Sequence, residues 1–221
     1  MGDKIDGFIH SEEVQDFATC IKVLAGPGAG KTHWLIGQIK AILSEAKDLG
    51  LARKVGCITY TNKAAENILS QIGANNHRLE VSTIHAFLYK SIIKPYFHLI
   101  ASEEGFAIDK LNGHDETIST SYGFVSELMK TNKMGMLMSH AKEQYKLKQT
   151  VEDYRWELTK KGIALQKTIN YPRLSGIGDK YVNAYKKKVW AEYGIMHHDD
   201  VLYFTYRLIE KVTRILYLLV L

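Results

Sequence analysis

The sequence has little of several things that would fix its class at once. It holds two cysteines in 221 residues, Cys20 and Cys57, far apart and in no metal-type spacing. They read as reduced, partly buried small hydrophobes of a cytoplasmic protein. Three prolines argue against a disordered or linker-rich chain. No apolar run approaches the ~20 residues of a membrane span; the C-terminal "ILYLLVL" has seven. The opening "MGDKIDGFIH" lacks the apolar stretch of a secretory signal. Gly2 has no Ser or Thr at position 6, so the myristoylation pattern fails. There is no internal repeat and no low-complexity tract. A globular chain remains, 46% hydrophobic and 24% charged, long enough for one large domain or two small ones.

Its charge is unevenly spread. The net charge is +5, yet residues 141–190 alone carry twelve Lys or Arg against five acids. That segment is +7 and the rest of the chain −2. A basic segment on a neutral body suits a polyanionic partner, and it also suits a solvated lysine-rich helical surface.

Periodicity divides the chain in two. "IKVLAG" (Ile21 to Gly26) reads as a buried strand that stops at glycines. Lys31 to Leu49 follows with helical spacing and Gly50 as its cap. "VGCITY" (Val55 to Tyr60) is a second strand, and Asn62 caps a helix that ends at Gly73. "LEVST" (Leu79 to Thr83) is a third, and "IHAFLYKSII" is the helix after it. Strand and helix alternating three times over predict an α/β domain with a parallel sheet. Residues 101–196 show no convincing strand, and their clearest helix is Lys180 to Tyr193, with Tyr181, Val182, Tyr185, Val189, Trp190 and Tyr193 on one face. A helix from Asp200 to Lys211 then leads into "RILYLLVL", which reads as a buried strand. The expected organisation is a sheet domain over 1–100, a helical insertion over 101–196 and a return to the sheet domain over 197–221.

Between the first strand and first helix lies "AGPGAGKT", the residues Ala25, Gly26, Pro27, Gly28, Ala29, Gly30, Lys31 and Thr32. It fits the phosphate-binding pattern with Ala in the first glycine position. Small residues let backbone N–H groups turn toward phosphate oxygens. Lys31 reaches the β- and γ-phosphates of ATP, and the Thr32 hydroxyl ligates Mg²⁺. The helix behind them points its positive end at the same phosphates. The alternative is a chance glycine-rich turn.

Together with "ITYTNKAAENILSQI" (Ile58 to Ile72) and "STIHAF" (Ser82 to Phe87), this loop closely resembles the UvrD/Rep family of superfamily one DNA helicases. "HHDDVLYF" (His197 to Phe204) resembles the family's Asp-Phe-Asp-Asp-Leu-Leu segment. The resemblance runs from about Lys22 to the last residue. It implies a P-loop NTPase of RecA-like fold (subdomain 1A) with an inserted all-helical subdomain (1B). It also implies a track for single-stranded DNA through Tyr60, Thr61, Asn62, Lys63, Thr83 and His85. Tyr60 replaces the family's usual phenylalanine and keeps an aromatic face on which a base can stack. Read without the family, the alternatives are a core aromatic on a buried strand for Tyr60 and a cap of the following helix for His85. Asp199 and Asp200 read as helix caps more readily than as a metal pair. Gln15 is the candidate for the glutamine that reads adenine upstream of the loop.

The family's acid motif, Val-Asp-Glu-Phe-Gln-Asp, occurs nowhere in this sequence. Nor does a second RecA-like domain with its arginine fingers. The expectation is therefore the N-terminal part of a UvrD-like helicase, truncated before the acid motif, lacking C-terminal helicase domains and inactive by itself. The full-length activity implied is ATP-driven 3′ to 5′ translocation and unwinding. The alternative is a standalone nucleotide- or DNA-binding module; a small P-loop kinase leaves "ITYTNKAA" unexplained.

Overall fold

The structure, a computed structural model, describes residues 9–10, 12–15, 20–45, 53–73, 77–114, 154–167 and 179–215. The chain divides into two compact units, Met1–Ile84 and His85–Leu221.

In the first unit β1 (Val55–Thr59) and β2 (Leu79–Thr83) run parallel, with Val55 opposite Leu79 and Thr59 opposite Thr83. Parallel neighbours need a crossover, and α2 (Asn62–Ile72) supplies it. Helix α1 (Lys31–Glu45) shares the core, in which Ile36 and Ile39 meet Cys57 of β1 and Ile68 of α2. Cys57 points into that core while Gly56 and Ile58 face solvent, so the helices cover one face of the sheet. The cap of α2 is Thr61, not Asn62. Its extended backbone (φ −126°, ψ 149°) brings the hydroxyl to accept from the Ala64 N–H at 3.2 Å.

Residues 21–26 do not form the expected buried strand. Ile21 is 39% exposed and Leu24 81%. Both described strands pair with each other alone, and an extended run without a ladder partner has no force holding it flat. The end predicted for α1, at residues 46–50, lies outside the described residues.

The second unit begins with α3 (Ile84–Leu88), which passes into a π-helical segment at Tyr89–Ile93 and then α4 (Lys94–Tyr96). The regular helix expected here is broken for a chemical reason. Pro95 has no N–H to donate four residues back, and the Lys94 N–H bonds to the Tyr89 carbonyl instead. After α5 (Ala101–Glu104) the main helices are α6 (Asp179–Tyr193) and α7 (His198–Lys211). Val201, Phe204 and Leu208 of α7 sit at helical spacing in a core with Trp190 of α6 and Phe97. Phe97 meets Phe106 and Phe204 edge-on at 4.8 and 4.9 Å. On α6, Val182, Tyr185, Val189 and Trp190 are buried as their spacing predicts, whereas Tyr193 is 38% exposed.

The region 101–196 is not all-helical. It contains the antiparallel hairpin β4 (Tyr154–Thr159) and β5 (Gly162–Lys167). A two-residue strand β3 (Gly113–His114) also pairs in parallel with β6 (Ile195–Met196). The hairpin turns on Lys160 and Lys161. Thr159 closes it, donating its hydroxyl to the Gly162 carbonyl at 2.6 Å and accepting from the Lys161 N–H at 3.2 Å. A serine-or-threonine turn without Asn-Gly gives little sequence signal. At the C-terminal run, Arg214 and Ile215 are helical rather than extended, and 216–221 lie outside the described residues.

Candidate functional site

The loop 25–30 makes a tight turn with positive φ at Gly28 (77°) and Gly30 (78°). A Cβ at Gly28 would meet nothing within 4 Å. Glycine is required there by the backbone conformation rather than by space. The Trp34 N–H reaches the Gly30 carbonyl at 2.9 Å and opens α1. Lys31 is the first residue of that helix, and its ammonium folds over the loop to the carbonyls of Ala25 (2.5 Å) and Gly26 (2.7 Å). No acidic residue stands in the first turn of α1. An exposed ammonium, an exposed Thr32 hydroxyl and a 15-residue helix's positive end thus converge on one turn. Among the described residues, no group of three His, Cys, Asp or Glu is placed to hold a metal. Mg²⁺ here would be held by Thr32 and the phosphates of a nucleotide, a donor set of hard oxygens that fits it.

Gln15 stands apart from the loop in sequence and is tied to the same helix. Its backbone N–H donates to Gln38 Oε1 of α1 at 2.9 Å. Its own side-chain Nε2 is buried and has no hydrogen-bond partner among the described residues.

Tyr60 is 91% exposed, directly after β1. It is not a core aromatic. With Thr83 ending β2, it occupies the C-terminal edge of a parallel pair, the side on which such sheets bind ligands. Asn62 and Lys63 are exposed on the first turn of α2. Thr61, Lys63, Ala64, Glu66, Asn67 and Ser70 line a depression beside them of about 630 Å³. Thr61 spends its hydroxyl on the cap and so offers its backbone more than its side chain. Thr59 bonds to the Thr61 carbonyl at 3.0 Å and steadies this turn.

His85 lies in the second unit, half-buried, stacked on His198 with centroids 4.8 Å apart and planes at 23°. His114 lies 4.9 Å from His198, and Tyr89 sits edge-on to His114 at 5.4 Å. The helix start, β3 and α7 each supply an imidazole to this stack. Neither histidine adjacency nor aromatic periodicity announces such a cluster in the sequence.

Asp199 and Asp200 open α7, as capping predicts, but Asp200 does more than cap. It is fully buried and accepts from four donors: Lys186 Nζ (2.7 Å), Trp156 Nε1 (2.8 Å), Trp190 Nε1 (2.9 Å) and the His197 N–H (3.0 Å). Burial alone would raise its pKa. Lys186 and His197 charges, with the bonds from Lys186 and Trp190, outweigh burial and hold the carboxyl below the usual range. Trp156 then stacks on Tyr203 at 4.0 Å, tying the hairpin to α7. Tyr203 donates to Glu104 at 2.7 Å, where Arg207 also binds at 2.9 Å. Burial and that carboxylate push the Tyr203 hydroxyl's pKa up.

This corrects one expectation about the basic segment. Lys186 is 2% exposed and committed to Asp199 and Asp200, so it adds nothing to an electrostatic surface. Lys160, Lys161 and Lys187 are exposed. The lysines and arginine at 142, 146, 148 and 173 lie outside the described residues.

Comparison with known proteins adds a family. The model for the UvrD/REP helicase N-terminal domain matches residues 8–217. The chain is 36% identical over 76 residues to the Gabija protein GajB of Bacillus cereus (strain VD045), covering 34% of this chain and 15% of that protein. It is 32% identical over 115 residues to the ATP-dependent DNA helicase srs2 of Schizosaccharomyces pombe, covering 47% of this chain and 12% of that one. The matched part is therefore a small fraction of either relative's length. No described helix is long and apolar enough to cross a membrane.

Proposed function

The chain belongs to the UvrD/REP helicase N-terminal domain family, and from that premise we propose that it is the ATP- and single-strand-binding part of a DNA helicase. In the complete motor the activity is ATP-driven 3′ to 5′ translocation and strand separation, in the cytoplasm. The observation that carries this reading is the placement of Lys31, at the first residue of α1 with its ammonium over the loop carbonyls. Residues 25–30 form a P-loop in this reading. Lys31 exchanges those neutral carbonyl acceptors for anionic β- and γ-phosphate oxygens, an ion-paired contact stronger than the ammonium–carbonyl bonds it leaves. Thr32 presents its hydroxyl to Mg²⁺, which when bound neutralises phosphate charge. Gln15 offers its buried Nε2 to the adenine.

Tyr60 stacks on a base of the single strand, and Asn62, Lys63 and the Thr61 backbone hold its phosphates. Thr83, at the end of β2, continues the track. Helix α1, β1, α2 and β2 are joined through one core, so a change at the nucleotide has a packed route to the strand.

The test is titration of Mg·ATP and Mg·ADP into the chain beside a Lys31→Ala variant. Wild-type binding that the variant abolishes is expected. Equal affinity in both removes Lys31 from the site.

A further inference from the structure

Gln38 is the one polar side chain among the buried residues of α1, at 7% exposure among Ile36, Ile39 and Ala41. An amide in such a place is costly unless both its donor and its acceptor are satisfied. Both are satisfied, and by a single remote segment. Oε1 accepts from the Gln15 N–H at 2.9 Å, and Nε2 donates to the Glu13 carbonyl at 2.7 Å. The side chain thus grips residues i and i+2 of one segment, with donor and acceptor on a single amide group. Leu or Met would fill the same space without that burden. The amide's presence is explained by holding 13–15, not by covering the helix.

The position of the grip along α1 matters. Lys31 and Gln38 are seven residues apart, so they lie nearly on one helix face, separated by ~10 Å along the axis. One rigid element therefore carries the phosphate-loop lysine at its start and the anchor of Gln15 two turns on. Gln15, held by its backbone, keeps a side-chain Nε2 that is buried and without a partner among the described residues.

We infer that Gln38 is a positioning residue for base recognition: it sets Gln15 at a fixed distance from the phosphate loop, so that a purine base is selected together with its triphosphate. This rests on the reading of the loop and Gln15 as a nucleotide site. Gln38 touches no nucleotide itself. Its contribution is preorganisation, since a reader already in place loses no freedom on binding.

The experiment is calorimetric titration of the full chain with ATP, GTP and inorganic tripolyphosphate, each with Mg²⁺. The proteins are wild type, Gln38→Leu, Gln38→Glu, Gln15→Ala and the double variant that combines Gln15→Ala with Gln38→Leu. Wild type is expected to favour ATP over GTP. Gln38→Leu should lower ATP affinity about five- to tenfold, the scale of one or two lost hydrogen bonds, and leave tripolyphosphate unchanged. Gln38→Glu keeps the acceptor for Gln15 but sets a carboxylate against the Glu13 carbonyl, so it should fall between. Gln15→Ala should match Gln38→Leu, and the double variant should lose no more than either, as members of one unit do. Equal losses for ATP and tripolyphosphate would mean a merely structural amide and overturn the inference. So would an unchanged ATP preference in folded Gln38→Leu. If that variant does not fold, the same ratio is read from Gln38→Glu. A wild type that binds tripolyphosphate but shows no base preference removes the role of Gln15 and this inference with it, leaving the loop intact. A wild type that binds none of the three overturns the nucleotide reading itself.

Discussion

Lys186 Nζ lies 2.7 Å from Asp200 Oδ1 with both side chains buried, at 2% and 0% exposure. A buried pair of this kind is weak evidence of net stability but is costly to break from one side. Asp200→Ala would leave two indole N–H groups and the His197 N–H without their acceptor, and the buried ammonium with Asp199 alone. We expect a loss of about 3–5 kcal/mol, measured by urea unfolding. A loss under about 1 kcal/mol would mean that hairpin and α7 hold together without the carboxylate.

The same site fixes a pH dependence. The folded pKa of Asp200 is depressed, chiefly because Lys186 and His197 charges overcome the effect of burial. Stability from a depressed carboxyl is present above its unfolded pKa of about 3.9 and disappears as pH falls through the folded value. Acid should therefore destabilise the wild type below about pH 4. Asp200→Asn, already without the charge, should show a flatter acid limb in melts taken across that range. Parallel slopes in the two proteins would assign the acid sensitivity elsewhere.

Gly194 joins α6 to β6 with φ +64°, and a Cβ there would stand 1.4 Å from the Lys110 carbonyl oxygen. Backbone cannot retreat as a side chain can, and the Asn112 N–H is held by the Gly194 carbonyl at 2.8 Å. Gly194→Ala should cost about 2–4 kcal/mol, strain and overpacking together. Gly162→Ala is the control: φ is also positive (+109°), but the nearest atom is the Tyr206 hydroxyl at 3.7 Å, so only about 1–2 kcal/mol of strain applies. Equal thermal shifts in the two variants would show that the Lys110 contact does not matter.

These two sites also mark where sequence reasoning reached and where it stopped. The β1–α2–β2 unit was legible because each element carries its own signal. Cys57 and Val81 sit in short β-rich runs, and Gly73 ends a helix of clear period. The segment 21–26 misled because apolar content suggests a strand but cannot supply its ladder partner. The hairpin escaped because Lys160-Lys161 looks like helical surface, and its closure depends on the Thr159 hydroxyl. The Asp200 hub escaped because its four donors come from positions 156, 186, 190 and 197. Only packing unites them. Lys186 was counted as surface charge for the same reason: a one-letter code does not say which lysines are paired.

The proposed track for single-stranded DNA is tested at its exposed ring. Tyr60→Ala should weaken binding of a poly-dT oligonucleotide by about 1–3 kcal/mol, the worth of one base stacked on an aromatic. Lys63→Ala should weaken it more evenly and flatten the log–log salt dependence by about one unit, as for one lost phosphate contact. Lys186→Ala should lower stability and leave the salt slope unchanged, because that ammonium is buried. Fluorescence anisotropy at several salt concentrations reads all three. Affinity indifferent to both salt and Tyr60→Ala would take the track away from this face.

Hydrolysis separates binding from catalysis. In the proposed reading Lys31 and Thr32 hold a triphosphate, yet a barrier falls only through contacts stronger in the transition state than in the ground state. In phosphoryl transfer those contacts come from a carboxylate on the metal, a group that orients water, and arginines on the departing charge. An arginine finger alone is worth roughly 10³–10⁵ in rate. The acid motif that the family resemblance implies is not among these 221 residues. Asp199 and Asp200, in the segment that resembles Asp-Phe-Asp-Asp-Leu-Leu, are engaged with Lys186. In the proposed reading the purified chain binds Mg·ATP through Lys31, and any phosphate release it shows disappears in Lys31→Ala. The assay is phosphate release beside Lys31→Ala. Turnover that needs both DNA and Lys31 would show that another residue of this chain supplies the acid, and the first to substitute would then be the exposed Glu66 on α2, beside Lys63 in the same depression.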